Sequence, residues 1–370
     1  MATNAASLVN FGTTGPAVGE FVYSIGPLTA PSYLPANSYV NRYLVSAYPA
    51  LGNLIVPVIT PVSYLATART LPSSANWGDV AYGNGVFVTV ATGPSTSAAS
   101  SPDGITWTAR TLPASASWVA VAFGNGVFVA TSTGTSSIAA TSPDGITWTQ
   151  RAMPAARNWT AVTYGNGLFV AVAGSSSNAA TSPDGITWTA RNLSTTANWF
   201  RVVYGNGVFV AIATSAATSS TVSADGITWA TGTMPSAQNW SGLSYGNGVF
   251  VANSGASSTV AATSTNGYDW TARTLPTTAA WTKSAYGNNS FVMVSQSTAA
   301  ATSPDGITWT SQTLPSSSVW YGLAFGAGKF VTVSNTSSAA ATIDYAVNAT
   351  DFTLPVIAPI TGTTAYVKAT

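Results

Sequence analysis

Residues 77–113 read WGDVAYGNGVFVTVATGPSTSAASSPDGITWTARTLP, and this stretch decides the fold because it recurs along the chain. One tryptophan series runs Trp77, Trp118, Trp159, Trp199, Trp240, Trp281 and Trp320, at spacings of 39 to 41 residues. A second runs Trp107, Trp148, Trp188, Trp229, Trp270 and Trp309. The two series account for all 13 tryptophans of the 370-residue chain. A fixed period of this length marks an architecture built from stacked copies of one small unit.

Each copy divides into four short strands. In the first copy they are expected at residues 77–82, 86–91, 97–101 and 105–110. Gly83-Asn84-Gly85 joins the first pair and Pro102-Asp103-Gly104 the second. Asn-Gly and Asp-Gly tolerate the positive φ that tight hairpins require. Leu112-Pro113 is expected to end the fourth strand, since proline cannot donate to a ladder. No helical periodicity is visible within the repeats. The expected fold is all-β: a seven-bladed β-propeller of four-stranded blades, each about 41 residues long. Rings of six or eight blades are the neighbouring alternatives. An open solenoid would need polar capping copies, and neither end of the array offers one.

Six copies carry a complete fourth strand, and the seventh loses the pattern after Ala339-Ala340-Ala341-Thr342. The missing piece stands before the first copy. Thr67-Ala68-Arg69-Thr70-Leu71-Pro72 repeats the wording of residues 108–113. Residues 64–71 are therefore expected to complete the last blade and hide both open edges of the ring. The propeller then spans residues 63–343, flanked by residues 1–62 and 344–370.

Composition excludes several kinds of chemistry. The chain has neither His nor Cys, so disulfides, thiolate nucleophiles, histidine bases and histidine–zinc sites cannot form. Net charge is +1 with 6% charged residues, and no cluster of Lys or Arg offers a surface for nucleic acid. With 46% hydrophobic and 11% aromatic residues the chain is not expected to be disordered. No uninterrupted run of about 18 apolar residues suggests a transmembrane segment.

The tryptophans recur in every copy, which assigns them to packing between blades; ligand platforms need not repeat so regularly. Phe87, Phe128, Phe169, Phe209, Phe250, Phe291 and Phe330 recur likewise. Asp103, Asp144, Asp184, Asp225 and Asp305 stand at the Asp-Gly turn, where a carboxylate accepts a backbone N–H two residues on. The fifth copy has Asn266-Gly267 there. An amide can replace an acid in a turn but not in acid catalysis, so these are read as structural turn acids. If there is a ligand surface it is expected where copies differ, in the loops between second and third strands, whose Ser and Thr residues otherwise serve to solvate a nearly uncharged protein. Their candidate residues are Ser95, Ser136, Ser176, Ser219, Ser257, Ser297 and Ser337.

Ser101-Pro102-Asp103-Gly104-Ile105-Thr106-Trp107 resembles the Asp-box of sialidase-like and other BNR-type propellers, with one residue fewer than the usual spacing. The resemblance implies a propeller. Sialidase activity would add three clustered arginines, a Tyr nucleophile and a Glu partner. The single glutamate, Glu20, lies outside the repeats, and Arg110, Arg151, Arg191 and Arg273 fall at one repeat position. Few acids stand outside the turns (Glu20, Asp79, Asp344 and Asp351), which leaves little for two-carboxylate hydrolysis. No catalytic residue, metal ligand or cofactor is expected.

The flanks carry a second resemblance. A strand is expected at residues 18–23, followed by Tyr33-Leu34, Asn37 and Tyr48-Pro49-Ala50-Leu51, with a short helix near residues 48–54. This order is similar to the phage tail-collar domain, although Ser38 follows Asn37 where that family normally has Gly. The collar's T-x-F-x-L-P segment is matched beyond the propeller, by Thr350-Asp351-Phe352-Thr353-Leu354-Pro355. Residues 365–370 are similar to its final strand. The propeller is thus expected to be inserted into a small collar-like α+β domain formed by both termini.

These resemblances imply a bacteriophage virion structural protein of the tail, in a fibre, tip or appendage, displaying its propeller for host-surface attachment. The implied partners are other virion and tail proteins, sister subunits in a trimer or hexamer, and a host-surface glycan or receptor. A capsid decoration or head fibre protein, and a non-catalytic lectin propeller outside any virion, are the alternatives.

Overall fold

The computed structural model describes residues 21–24, 33–34, 63–346 and 364–368. Every regular element among them is a β-strand. The chain divides into two compact units, Tyr64–Tyr345, and Met1–Ser63 together with Ala346–Thr370.

One copy shows how the larger unit is made. Strands Trp159–Gly165, Leu168–Ala173, Ser176–Ser182 and Thr189–Ala197 pair in that order as an antiparallel sheet. Asn166 at φ 47° and Gly167 at φ 77° form the two-residue turn between Gly165 and Leu168. Both angles are left-handed, which matches the twist of the flanking strands and suits these two residue types. Three further four-stranded sheets open at Trp199, Trp240 and Trp281. The remaining strands form one ten-stranded sheet. Two long strands, Ser63–Gly83 and Thr108–Gly124, hold it together. The second pairs with Ser95–Ser101 over its first part and with Val127–Thr133 over its second. The larger unit is thus all-β and propeller-like.

Burial follows strand position. The second strand is almost wholly inaccessible, as in Leu168–Ala173, whereas the fourth, Thr189–Ala197, is largely exposed. First strands of neighbouring sheets pack closely and fourth strands barely meet, which places the first strands at the narrow centre. The hydrophobic clusters lie between copies. One joins Ala161, Val170 and Val172 to Trp199, Val202 and Phe209 of the next. Another joins Val331, Val333 and Ala340, near the end of the array, to Trp77, Val80 and Phe87 at its start.

Proline does not end the fourth strand as expected at Leu112-Pro113. Thr108–Gly124 runs through Pro113, and Thr149–Arg157 runs through Pro154. The ladder itself gives way there: pairing stops at Ser97 with Thr111 and resumes at Ser95 with Ala116. Proline therefore occupies an extended, unpaired interval, where its missing N–H costs nothing.

Residues 64–71 stand in the place of a fourth strand. Ser63–Gly83 adjoins Ser337–Ala346 in the sheet. Arg69 Nε donates to Thr342 Oγ1 at 3.2 Å. Arg110 to Ser100 (2.8 Å) and Arg191 to Thr181 (3.1 Å) repeat the same contact in other copies. At the inner edge, Asn335 Nδ2 donates to Trp77 O at 3.2 Å, joining the last copy to the first.

In the smaller unit, Thr364–Lys368 is the central strand of a three-stranded antiparallel sheet, between Phe21–Ser24 and Tyr33–Leu34. Phe21 pairs with Val367, and Tyr33 with Lys368. The helix expected near residues 48–54, and the segment 350–355, lie outside the described residues.

Candidate functional site at the mouth of the ring axis

The two rims of the larger unit differ. On one, Asn84 of a hairpin turn donates to Pro143 O of the next copy at 2.9 Å. On the other, the loops between second and third strands meet the connections entering the next first strand. There Asn158 Oδ1 accepts from Gly134 N, and Asn239 Oδ1 accepts from Ala216 N. This second rim gathers the variable loops.

The expected site residues fall as follows. The first-series tryptophans are at most 1% exposed and the second series 8–9%. Trp159 Nε1 donates to Ala155 O and Trp188 Nε1 to Gly185 O, so even their polar edges are mostly turned inward to backbone. Asp103 Oδ1 accepts from Ile105 N (2.8 Å), Thr106 N (3.0 Å) and Ser101 Oγ (3.0 Å). Asp144, Asp184, Asp225 and Asp305 repeat the set. Backbone donors, those of Thr228 and Ile227 foremost, hold the Asp225 carboxyl down at about 2. Asn266 makes the same two backbone contacts, to Tyr268 N and Asp269 N.

The candidate loop serines are occupied locally. Ser95, Ser136, Ser176, Ser297 and Ser337 each accept the backbone N–H two residues on. Ser219 pairs within its third strand, opposite Thr233. An open space of about 300 Å³ does lie on the loop rim, but none of the seven serines, Ser257 included, lines it. Phe200, Ser241, Thr282 and Tyr321 supply its inner wall, with Ser215 and Gln296 from the variable loops.

Behind the residues that line that space sits a charged group of which the sequence reading named only Asp79. The third residue of each first strand is Asp79, Ala120, Ala161, Arg201, Gly242, Lys283 or Gly322. A bulge after the leading tryptophan shifts the register at this point in each copy, for example between Trp199 and Arg201. Lys283 Nζ lies 2.8 Å from Asp79 Oδ1, although 204 residues separate them. Val121 N donates to Asp79 Oδ2 at 3.4 Å. Arg201 is 4% exposed; its Nε donates to Ser241 O at 2.9 Å. Its guanidinium carbon is 4.4 Å from the Phe200 ring centroid and 5.6 Å from that of Tyr321.

Lys283 is therefore paired with Asp79 at the centre, and Arg201 lies near enough to act on it. Burial pushes the Lys283 ammonium below its ordinary value, Asp79 opposes that shift, and Arg201 adds to it. The signal was present in the sequence: these are the charged residues at a repeat position otherwise held by Ala or Gly. Among the described residues, no group of three His, Cys, Asp or Glu side chains gathers as a metal site would require. No helix among them is long and apolar enough to cross a membrane.

A family model described as the DUF6242 beta propeller domain matches residues 102–240. Comparison with curated proteins gives no match. Among solved structures, selenomethionine-substituted virginiamycin B lyase from Staphylococcus aureus is similar, with TM-score 0.67 and 10% identity over 76% of this chain and 99% of the lyase. YCF48 bound to D1 peptide matches with TM-score 0.60 and 16% identity, over 76% of this chain and 99% of its own. YCF48 from Cyanidioschyzon merolae gives 0.58 and 14%, over 75% and 98%. At these identities the likeness is one of fold.

Proposed function

We propose that the chain is a non-catalytic attachment protein of a bacteriophage tail, in which a seven-bladed propeller presents a binding rim. The observation that carries this reading is the pairing of Phe21–Ser24 with Thr364–Lys368. Strands from both ends of the chain share one sheet, with the repeat array inserted between them, in the order that the collar-like wording of the flanks implies. A closed ring suits such an insertion because it brings its own ends together.

The count of seven rests on a cycle of contacts. Tyr or Phe rings pack on the glycine that ends the preceding first strand, from Phe123 on Gly83 around to Phe325 on Gly287, and Tyr82 packs on Gly326. The binding role rests on the loop rim, where copies differ most and an open polar space adjoins buried charge. A rigid ring displayed in several copies would gain strength through effective concentration even from weak single contacts.

The test is a subunit-resolution image of the particle that carries the chain. Density for the propeller on the tail is expected. Density on the head would replace this reading with capsid decoration, and absence from the particle would leave a free lectin.

A further inference from the structure

We infer that the mouth of the ring axis is a binding site for the carboxylate of an acidic sugar, with Arg201 as its anchor. This deepens the reading of the loop rim as a binding surface and rests on it.

The charge balance comes first. The first strands contribute Asp79, Arg201 and Lys283 and no other ionised side chain. Asp79 is taken by Lys283 at 2.8 Å. That leaves Arg201 as a buried guanidinium with no ion pair among the described residues. Its hydrogen bond there is Nε to Ser241 O, which uses one of five N–H donors. The Phe200 and Tyr321 rings and the Ser241 carbonyl meet part of that charge, but a buried cation without a counter-ion remains costly, and an incoming anion relieves it. The surplus is one positive charge, which matches a carboxylate better than a doubly charged phosphate ester. A guanidinium also meets the two oxygens of a carboxylate side by side.

The neighbouring space defines the rest of the ligand. Its volume of about 300 Å³ is at the small end for small-molecule sites. Tyr321 and Phe200 bring half-buried aromatic faces and Gln296 and Asn239 bring exposed amides, while the Ser241 and Thr282 hydroxyls donate to backbone carbonyls and offer a ligand lone pairs. Amides are both donor and acceptor, as sugar hydroxyls are, and an aromatic ring accepts the C–H face of a pyranose.

The intact chain is to be titrated calorimetrically with glucuronate, galacturonate and N-acetylneuraminate, each beside glucose, galactose and N-acetylglucosamine. At least one acid should bind at least tenfold tighter than its neutral counterparts, with affinity falling as salt is raised. Arg201→Gln should abolish that preference, and Tyr321→Ala should weaken acid and neutral sugars alike. Should Arg201→Gln fail to fold, Arg201→Lys and the wild-type salt dependence decide the matter. Equal binding of acids and neutral sugars, no saturable binding of any, or displacement of the acid by a peptide with a free C-terminal carboxylate at lower concentration would each overturn the proposal. A chain imaged on the tail that binds none of these sugars would retire this ligand and leave the attachment role standing.

Discussion

The turn Gly83-Asn84-Gly85 assigns different work to adjacent residues. Asn84 (φ 46°) and Gly85 (φ 77°) take the left-handed angles of the hairpin. Gly83 does not, and is needed for space: a Cβ there would fall inside the ring of Phe123 from the next copy. Reading the turn locally credits every glycine to φ, because the ring that needs the gap is 40 residues away. The signal lay in the recurrence of Tyr or Phe directly before that glycine in each copy. Gly165→Ala, where a methyl would meet the Tyr204 ring, should cost about 1–3 kcal/mol by forcing the ring or backbone aside. Denaturant titration of the variant measures it, and an unchanged midpoint would mean that the two copies do not pack there. The axial charges escaped for a related reason. Asp79 and Lys283 are neighbours only through ring closure, so no local window contains both.

At the scale of the element, the Ser-x-Asp-Gly turn was legible because all its partners lie within five residues. Ser223 Oγ accepts from Gly226 N, and Asp225 Oδ1 accepts from Ile227 N and Thr228 N. Asn266 fills the same role in the fifth copy, which gives a built-in control. Asp225→Asn should change stability by under about 0.5 kcal/mol, while Asp225→Ala should lose about 1 kcal/mol as its backbone donors go unpaired. The carboxyl also sets a pH dependence. Its value in the folded chain is held at about 2, below its ordinary value, so the unfolded chain takes up the proton first on acidification. The contribution is present above about pH 4 and disappears as pH falls through about 2. Asp103, Asp144, Asp184 and Asp305 are shifted in the same direction. Thermal melts between pH 5 and 2 should show a shallower acid loss in Asp225→Asn than in the parent. An identical loss in both would place acid sensitivity elsewhere. Strand ends were less legible than turns, since Pro113 can sit inside an extended strand wherever its partner has already stepped away.

The whole molecule depends on closure. The axial ion pair, the charge left on Arg201 and the space at the loop rim all require that the last copy meet the first. The repeated wording of residues 67–72 announced this, because a displaced fourth strand makes sense only in a ring. The proposed ligand was not announced, since the proposal depends on which side chains converge at the axis rather than on any one copy. The chain has no cysteine, so closure can be tested in solution with two introduced thiols. Arg69 and Thr342 are 273 residues apart and hydrogen-bonded through their side chains at 3.2 Å. In Arg69→Cys/Thr342→Cys, a short bismaleimide should join the two thiols within one chain, in dilute native protein and not in denaturant. Protease mapping should recover the joined peptides. Links formed only between chains, or none under native conditions, would contradict the closed ring.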